Sequence, residues 1–307
     1  MQKFDLLDPR NDYVFKRIFA EAPDLLVHLI NDVRPDLPSI TSVEVLNPSI
    51  NPAELTGKYI ILDVLAQDAE NNRYNIEMQV RRYNAWGKRS AYYLARMLSE
   101  QLDAGMDYAK LQAAVGIHLL DFDLFIDNET QQQQAVWRFE MRDEKQPDVR
   151  IGNELQVNLI ELKKADRLEL SSGSLRFWIE FLEHWQSLVQ MVDIPYEPVR
   201  KAMERLKMIS ADEEERRLAF VRQRAMHDEA TLLKEAREGG FEQGIQKGIE
   251  QGIEKGIAQG VEKGRQVQMR ETALNLISMN VFTDAQIAQA SGLCVDQVEQ
   301  LRLKANH

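Results

Sequence analysis

Two short segments on either side of residue 70 constrain this chain most. Tyr59 to Ala66 is a near-continuous apolar run, which suits a strand covered on both faces, yet Asp63 sits inside it. Tyr74 to Val80 alternates, with Ile76, Met78 and Val80 on one face and Asn75, Glu77 and Gln79 on the other. Asp68-Ala69-Glu70-Asn71-Asn72 between them reads as a hairpin loop. Positions 63 and 77 are equidistant from residue 70, so a symmetric hairpin sets Asp63 beside Glu77. Gln79 then follows about 7 Å further along the same face. Two carboxylates that close repel, and one holds its proton more tightly, unless a divalent cation neutralises them. Hard oxygen donors with open positions suit Mg²⁺, with Mn²⁺ as the alternative. The competing reading is a single buried Asp63 satisfied by hydrogen bonds.

The next stretch carries the opposite charge. From Val80 to Ser99 there is no acidic residue, while Arg81, Arg82, Lys88, Arg89 and Arg96 interleave with Tyr83, Trp86, Tyr92 and Tyr93. Basic and aromatic residues flanking a carboxylate pair suggest a phosphate backbone held beside a metal-activated water. The plainer alternative is a solvated helix face whose tyrosines pack inward. The whole chain leans the other way: 38 Lys and Arg against 49 Asp and Glu give a net charge of -11. That total speaks against nucleic-acid binding through bulk electrostatics and leaves room for a local basic site.

Composition bounds the class. The 307 residues are 44% hydrophobic and 28% charged, which argues for a folded protein of one large domain or two modest ones. Cys294 is the single cysteine, so an internal disulfide framework and Cys-rich zinc sites are excluded and a reducing, cytoplasmic setting is expected. No run of about 18 apolar residues exists, so no membrane span is expected. Asp5 and Asp8 mark the N-terminus as unlike a secretory signal. His28, His118, His184, His227 and His307 lack metal-ligand spacing and read as core or surface residues; Cys294 has no neighbouring histidine to make it a nucleophile.

Further elements follow from periodicity. A helical pattern starts near Asp12 and is broken into two pieces at Pro23. Ser42–Leu46, Ala113–Leu120, Val136–Met141 and Leu155–Ile160 read as strands. Ala85–Ala104, stopped by Gly105, and Leu175–Met191 read as helices, and a charged helix is expected from about Val199 to Arg237. Glycines then recur every four residues from Gly240 to Gly264, each followed at the later positions by Ile245, Ile249, Ile253, Ile257 or Val261. Charged and amide residues fill the gaps, which excludes membrane-type glycine packing. The glycine row drifts about 40° per repeat around a helix, and each interior glycine costs roughly 1 kcal/mol against alanine. The segment is either a flexible tether or a contact between copies in a homo-oligomer. In the tail, Thr283 and Gln286 form a capping box and Ser291-Gly292-Leu293 a turn between short helices. Asp296 and Glu299 favour a small packing module over a helix-turn-helix that lies against phosphates.

Asn11-Asp12-Tyr13-Val14-Phe15-Lys16-Arg17-Ile18-Phe19, Leu62-Asp63-Val64, Asn75-Ile76-Glu77-Met78-Gln79 and Lys88-Arg89-Ser90-Ala91-Tyr92-Tyr93 together resemble the Rpn family of recombination-promoting nucleases. This transposase-like family lies within the PD-(D/E)xK nuclease superfamily, and the likeness covers residues 1 to about 125 well. It implies an α/β fold, a restriction-endonuclease-like mixed sheet flanked by helices and followed by a helical C-terminal extension. It also implies Mg²⁺-dependent cleavage of DNA phosphodiesters. Asp63 and Glu77 match the two acidic metal ligands, and Asp12 matches an acid on the first helix that would complete the site through water. Gln79 stands where the wider superfamily has lysine, and Leu62 where it has proline; glutamine is usual in the Rpn family itself. The implied roles are catalysis by Asp63, Glu77 and Gln79, and DNA binding by Arg81, Arg82, Lys88, Arg89, Tyr92 and Arg96. The expected organisation is a nuclease domain over 1–195, a charged helical extension over 196–238, the glycine repeat over 239–265 and a helical module over 266–307. The alternatives are a non-catalytic mobile-element-derived DNA-binding or assembly protein, and an RNA-directed nuclease or toxin.

The charge distribution yields a direct expectation: with divalent cations chelated, the protein binds DNA weakly in an electrophoretic or anisotropy assay. Tight, strongly salt-dependent binding in chelator would contradict it.

Overall fold

The computed structural model describes residues 6–35, 37–50, 62–82, 86–103, 105–169, 173–191 and 193–305. The expected strand residues Tyr59–Ile61, the aromatic Tyr83 and the helix start at Ala85 lie outside them. Cα packing divides the chain into two compact units, residues 1–229 and 230–307.

The first unit is built on a six-stranded mixed sheet in the order β1-β2-β3-β4-β6-β5. Its strands are β1 (Val43–Val45), β2 (Val64–Asp68), β3 (Arg73–Gln79), β4 (Ala114–Leu120), β5 (Val136–Glu140) and β6 (Leu155–Glu161). β1–β2, β2–β3 and β5–β6 are antiparallel, and β3–β4 and β4–β6 parallel. β4 is buried along its whole length, as a central parallel strand covered on both faces must be. The flanking helices are α1 (Asp12–Phe19), α2 (Pro23–Val33), α3 (Trp86–Ser99), α4 (Glu129–Gln132), α5 (Leu162–Arg167), α6 (Leu175–Leu188) and α7 (Glu197–Ala211). The mixed sheet flanked by helices that the resemblance implies is therefore present.

Local chemistry explains the boundaries near the site. The Asn11 side chain accepts from the backbone N–H groups of Tyr13 and Val14 and so starts α1, while Pro23 opens α2. The β2–β3 turn is held by Asp68, whose carboxylate accepts from the N–H groups of Glu70 and Asn72, with Asn71 at a left-handed φ of 67°. The Tyr74 hydroxyl donates to Asp68 at 2.8 Å. Burial pushes that hydroxyl up to about 12, with Asp68 adding to the shift and Arg34 opposing it. One face of the sheet packs Val64, Ala66, Tyr74, Ile76, Met78, Val115, Ile117 and Leu119 against α1, α2, α6 and α7. The opposite face carries Leu120 and Leu159 against Trp86 of α3.

Two expectations shift. The helix expected over Val199–Arg237 is two helices: Asp212 is extended, and its carboxylate accepts from the Glu215 N–H, starting α8 (Glu213–Met279). α7 lies past the expected boundary at Pro195, yet Val199, Ala202, Met203, Leu206 and Ile209 are buried in the main core. The early part of α8 is tied to α1 as well. Arg222 makes a bidentate pair with Asp12 at 2.6–3.0 Å, with both side chains buried, and Glu215 accepts from Tyr13 and Arg17.

In the second unit the glycine repeat is helical throughout, and its Ile245, Ile249, Ile253, Ile257 and Val261 are 48–68% exposed. The end of α8 packs with α9 (Asp284–Ser291) and α10 (Val295–Ala305) through Ala273, Ile277, Ile287, Ala288, Val298 and Leu301. Both arms of the Thr283–Gln286 capping box form, and Gly292 takes a left-handed φ of 80° at the end of α9. No helix among the described residues is long and apolar enough to cross a membrane.

The Asp12–Arg222 pair predicts a large asymmetry. Arg222→Met should cost about 3–5 kcal/mol in urea unfolding, because it strands a buried carboxylate. The double variant with Asp12→Asn should recover much of that loss, and a single variant as stable as the parent would contradict this account.

Candidate active site

The β2–β3 register places the two acids. Val64 pairs with Ile76, Leu65 with Asn75, Ala66 with Tyr74 and Gln67 with Arg73, so Asp63, one residue before β2, faces Glu77. Asn47 pins this entry to the strand: its amide donates to the Asp63 carbonyl at 3.2 Å and accepts from the Leu65 N–H at 2.7 Å. Burial, and then the charge of Glu77, hold the Asp63 carboxyl above its ordinary range, while Lys16 and Arg89 pull it down.

Glu77 is buried on the α3 face of β3. Its Oε2 lies 3.2 Å from Nδ1 of His118, and its Oε1 is buried with no hydrogen-bond partner among the described residues. Gln79 is also buried. Its amide N–H donates to the Arg81 carbonyl at 2.9 Å, which turns its Oε1 the other way, again with no partner among the described residues. A buried oxygen without a donor is costly unless something positive meets it. The contrast with Glu161 is informative. That carboxylate is fully buried, yet it accepts from Lys164 at 2.6 Å, from Trp137 at 2.7 Å and from the backbone N–H groups of Leu124 and Phe125. Glu161 is a satisfied structural acid; Glu77 and Gln79 present free oxygens on the face shared with Asp63.

These donors fit a hard divalent cation. Two carboxylates are the ligand type Mg²⁺ and Mn²⁺ take while keeping several waters, and an amide oxygen beside them can accept from such a water. Among the described residues no three His, Cys, Asp or Glu side chains converge as a metal cluster. Asp12 is engaged elsewhere: both of its oxygens accept from Arg222.

α3 sorts the basic run by its helical period. Trp86, Ser90 and Leu94 point inward at four-residue spacing, leaving Lys88, Tyr92, Tyr93 and Arg96 exposed and Arg89 half-buried with its guanidinium 5.4 Å from the Tyr93 ring. Arg96 pairs with Glu100 at 2.6 Å. Before the helix, Arg82 is exposed and half-buried Arg81 approaches Glu229 at 3.9 Å.

Two neighbours of the acids stand outside the residues that sequence spacing singles out. Lys16, on α1, is only 4% exposed, and its charge acts on Asp63. Its signal was its position four residues after Asp12, on the face α1 buries. His118 reaches Glu77 because β4 pairs in parallel with β3, opposite Glu77 itself. That pairing spans 41 residues of sequence and leaves no local signature.

The same residues fall within a known protein family. A model described as PD-(D/E)XK nuclease family transposase matches residues 9–236, a span that contains the whole sheet and every residue of the site. No curated protein and no solved structure matches the chain. With most of its length under that match, the chain belongs to the PD-(D/E)XK nuclease family transposases.

Proposed function

We propose that this protein is a divalent-metal-dependent endonuclease that hydrolyses DNA phosphodiesters, with Mg²⁺ as its usual cation. The observation that supports the reading is the juxtaposition of Asp63, just before β2, and Glu77 on β3, with buried oxygens on Glu77 and Gln79 that have no partner among the described residues. Asp63 and Glu77 would hold the cation, which when bound supplies Lewis-acid polarisation of the phosphate and an acidified water. Gln79 Oε1 accepts a hydrogen bond from the attacking water and orients it. Its amide cannot supply the positive charge a lysine would. Lys16 and Arg89, whose charges already act on Asp63, offset part of that deficit. Arg81, Arg82, Lys88, Tyr92 and Arg96 dock the phosphate backbone, with exposed rings available for stacking.

The same arrangement makes the metal-free site a source of instability. A carboxyl held above its ordinary range opposes folding when ionised. That cost is present at neutral pH and is relieved as pH falls through its raised value, or when a cation binds. Asp63→Asn removes the charge and keeps the shape. In chelator it should melt at a higher temperature than the parent, while losing Mg²⁺-dependent nicking of supercoiled DNA. Mg²⁺ should raise the melting temperature of the parent and leave the variant nearly unmoved. A variant that cuts DNA as well as the parent would overturn the assignment. Equal stabilisation of both proteins by Mg²⁺ would place the cation elsewhere.

A further inference from the structure

His118 is almost wholly buried, at 1% exposure. Nδ1 lies 3.2 Å from Oε2 of Glu77, Nε2 lies 2.9 Å from Oγ of Ser90, and Trp86 meets the ring edge-on with centroids 4.9 Å apart. The partners dictate the tautomer. An ionised carboxylate only accepts, so Nδ1 carries the hydrogen and donates to Glu77. In the neutral ring Nε2 is then the acceptor, and Ser90 donates to it. Neither nitrogen has a lone pair open to a metal, so His118 is not itself a ligand.

The backbone makes room for this ring. Gly116 lies two residues earlier on the same face of β4, and a Cβ there would stand 2.8 Å from Nε2 of His118 and 3.1 Å from Cδ1 of Leu94. A side chain at 116 would push the ring out of its seat. The chain Ser90–His118–Glu77 thus begins on α3, crosses β4 and ends at a carboxylate with one oxygen tied and the other without a partner among the described residues. A carboxylate held at one oxygen cannot swing, so the direction of the other is set before any cation arrives.

We infer that His118 is a positioning residue, seated by Gly116 and Ser90, that donates to Oε2 of Glu77 and thereby aims Oε1 at the divalent cation. The inference rests on the reading of Asp63 and Glu77 as cation ligands and adds the element that holds one of them. Hydrogen bonds to the groups that ligate a metal are commonly worth about 10–100-fold in affinity.

The test is calorimetric titration of Mn²⁺ into the full, metal-free chain, with four substitutions compared. His118→Leu keeps bulk and loses the donor; its Mn²⁺ affinity should fall about 10–100-fold. His118→Asn places an amide N–H where Nδ1 stood and should restore most of that affinity. His118→Gln carries its amide one carbon further, toward Ser90, and should not. In cleavage assays His118→Leu and His118→Gln should need more Mn²⁺ for half-maximal rate and approach the parent rate at saturation. Should His118→Leu fail to fold by circular dichroism, the Asn and Gln variants decide alone, and equal affinities for the two would overturn the proposal. Glu77→Ala separates the two levels of the argument. If it binds Mn²⁺ like the parent, Glu77 is not a ligand and the site reading itself fails. If it loses Mn²⁺ while His118→Leu keeps the parent affinity, the site stands and the role of His118 is wrong.

Discussion

The antiparallel register of β2 on β3 is the constraint from which the rest of the site follows. Side chains alternate faces along a strand, so a slip of one residue would move Glu77 and Gln79 into the packed core with Ile76 and Met78 taking their place. The Asp68 turn prevents that slip, because its backbone and side-chain hydrogen bonds close a single loop geometry. Tyr74 and Asn47 reinforce the register from either end. The cost of this arrangement is electrostatic. Two ionised carboxylates at cross-strand spacing repel by about 3 kcal/mol at the effective dielectric of a partly buried site. In the proposed reading a divalent cation would turn that repulsion into attraction, and the energetics of folding and of cation binding would meet at the same two side chains.

Much of this was legible from residues close together in sequence. The hairpin centre at residue 70, the alternation of Tyr74–Val80 and the lone acid in an apolar run point to one shared face for Asp63, Glu77 and Gln79. The capping box at Thr283 and the break at Pro23 were legible for the same reason, since turn and cap chemistry is local. What escaped depends on pairing across distance. His118 becomes Glu77's neighbour only through a parallel strand reached by way of α3, and Lys16 is drawn toward Asp63 only because α1 packs on β3. Glu161 and Lys164 are three residues apart, yet their burial depends on Trp137 and the backbone of residues 124, 125 and 131 folding over them. The break at Asp212 inside the expected long helix is a cap that the surrounding run of charged, helix-compatible residues conceals.

The acidic total of the chain also takes on a more definite meaning. Several acids are already paired inside the fold: Asp12 with Arg222, Glu161 with Lys164, and Asp121 and Glu183 with Arg10. The outer face of α3, by contrast, presents Lys88, Tyr92 and Arg96 to solvent. A net charge of -11 therefore weakens indiscriminate attraction to DNA while leaving a basic, aromatic surface on the helix that covers the site.

The central claim is that Asp63 and Glu77 share one divalent cation. Anomalous diffraction from crystals of the full chain grown with Mn²⁺ tests it most directly. The account predicts a peak about 2.1 Å from an oxygen of Asp63 and from Oε1 of Glu77, with His118 still on Oε2. A peak bound to other residues, or coordinated by His118 itself, would contradict it.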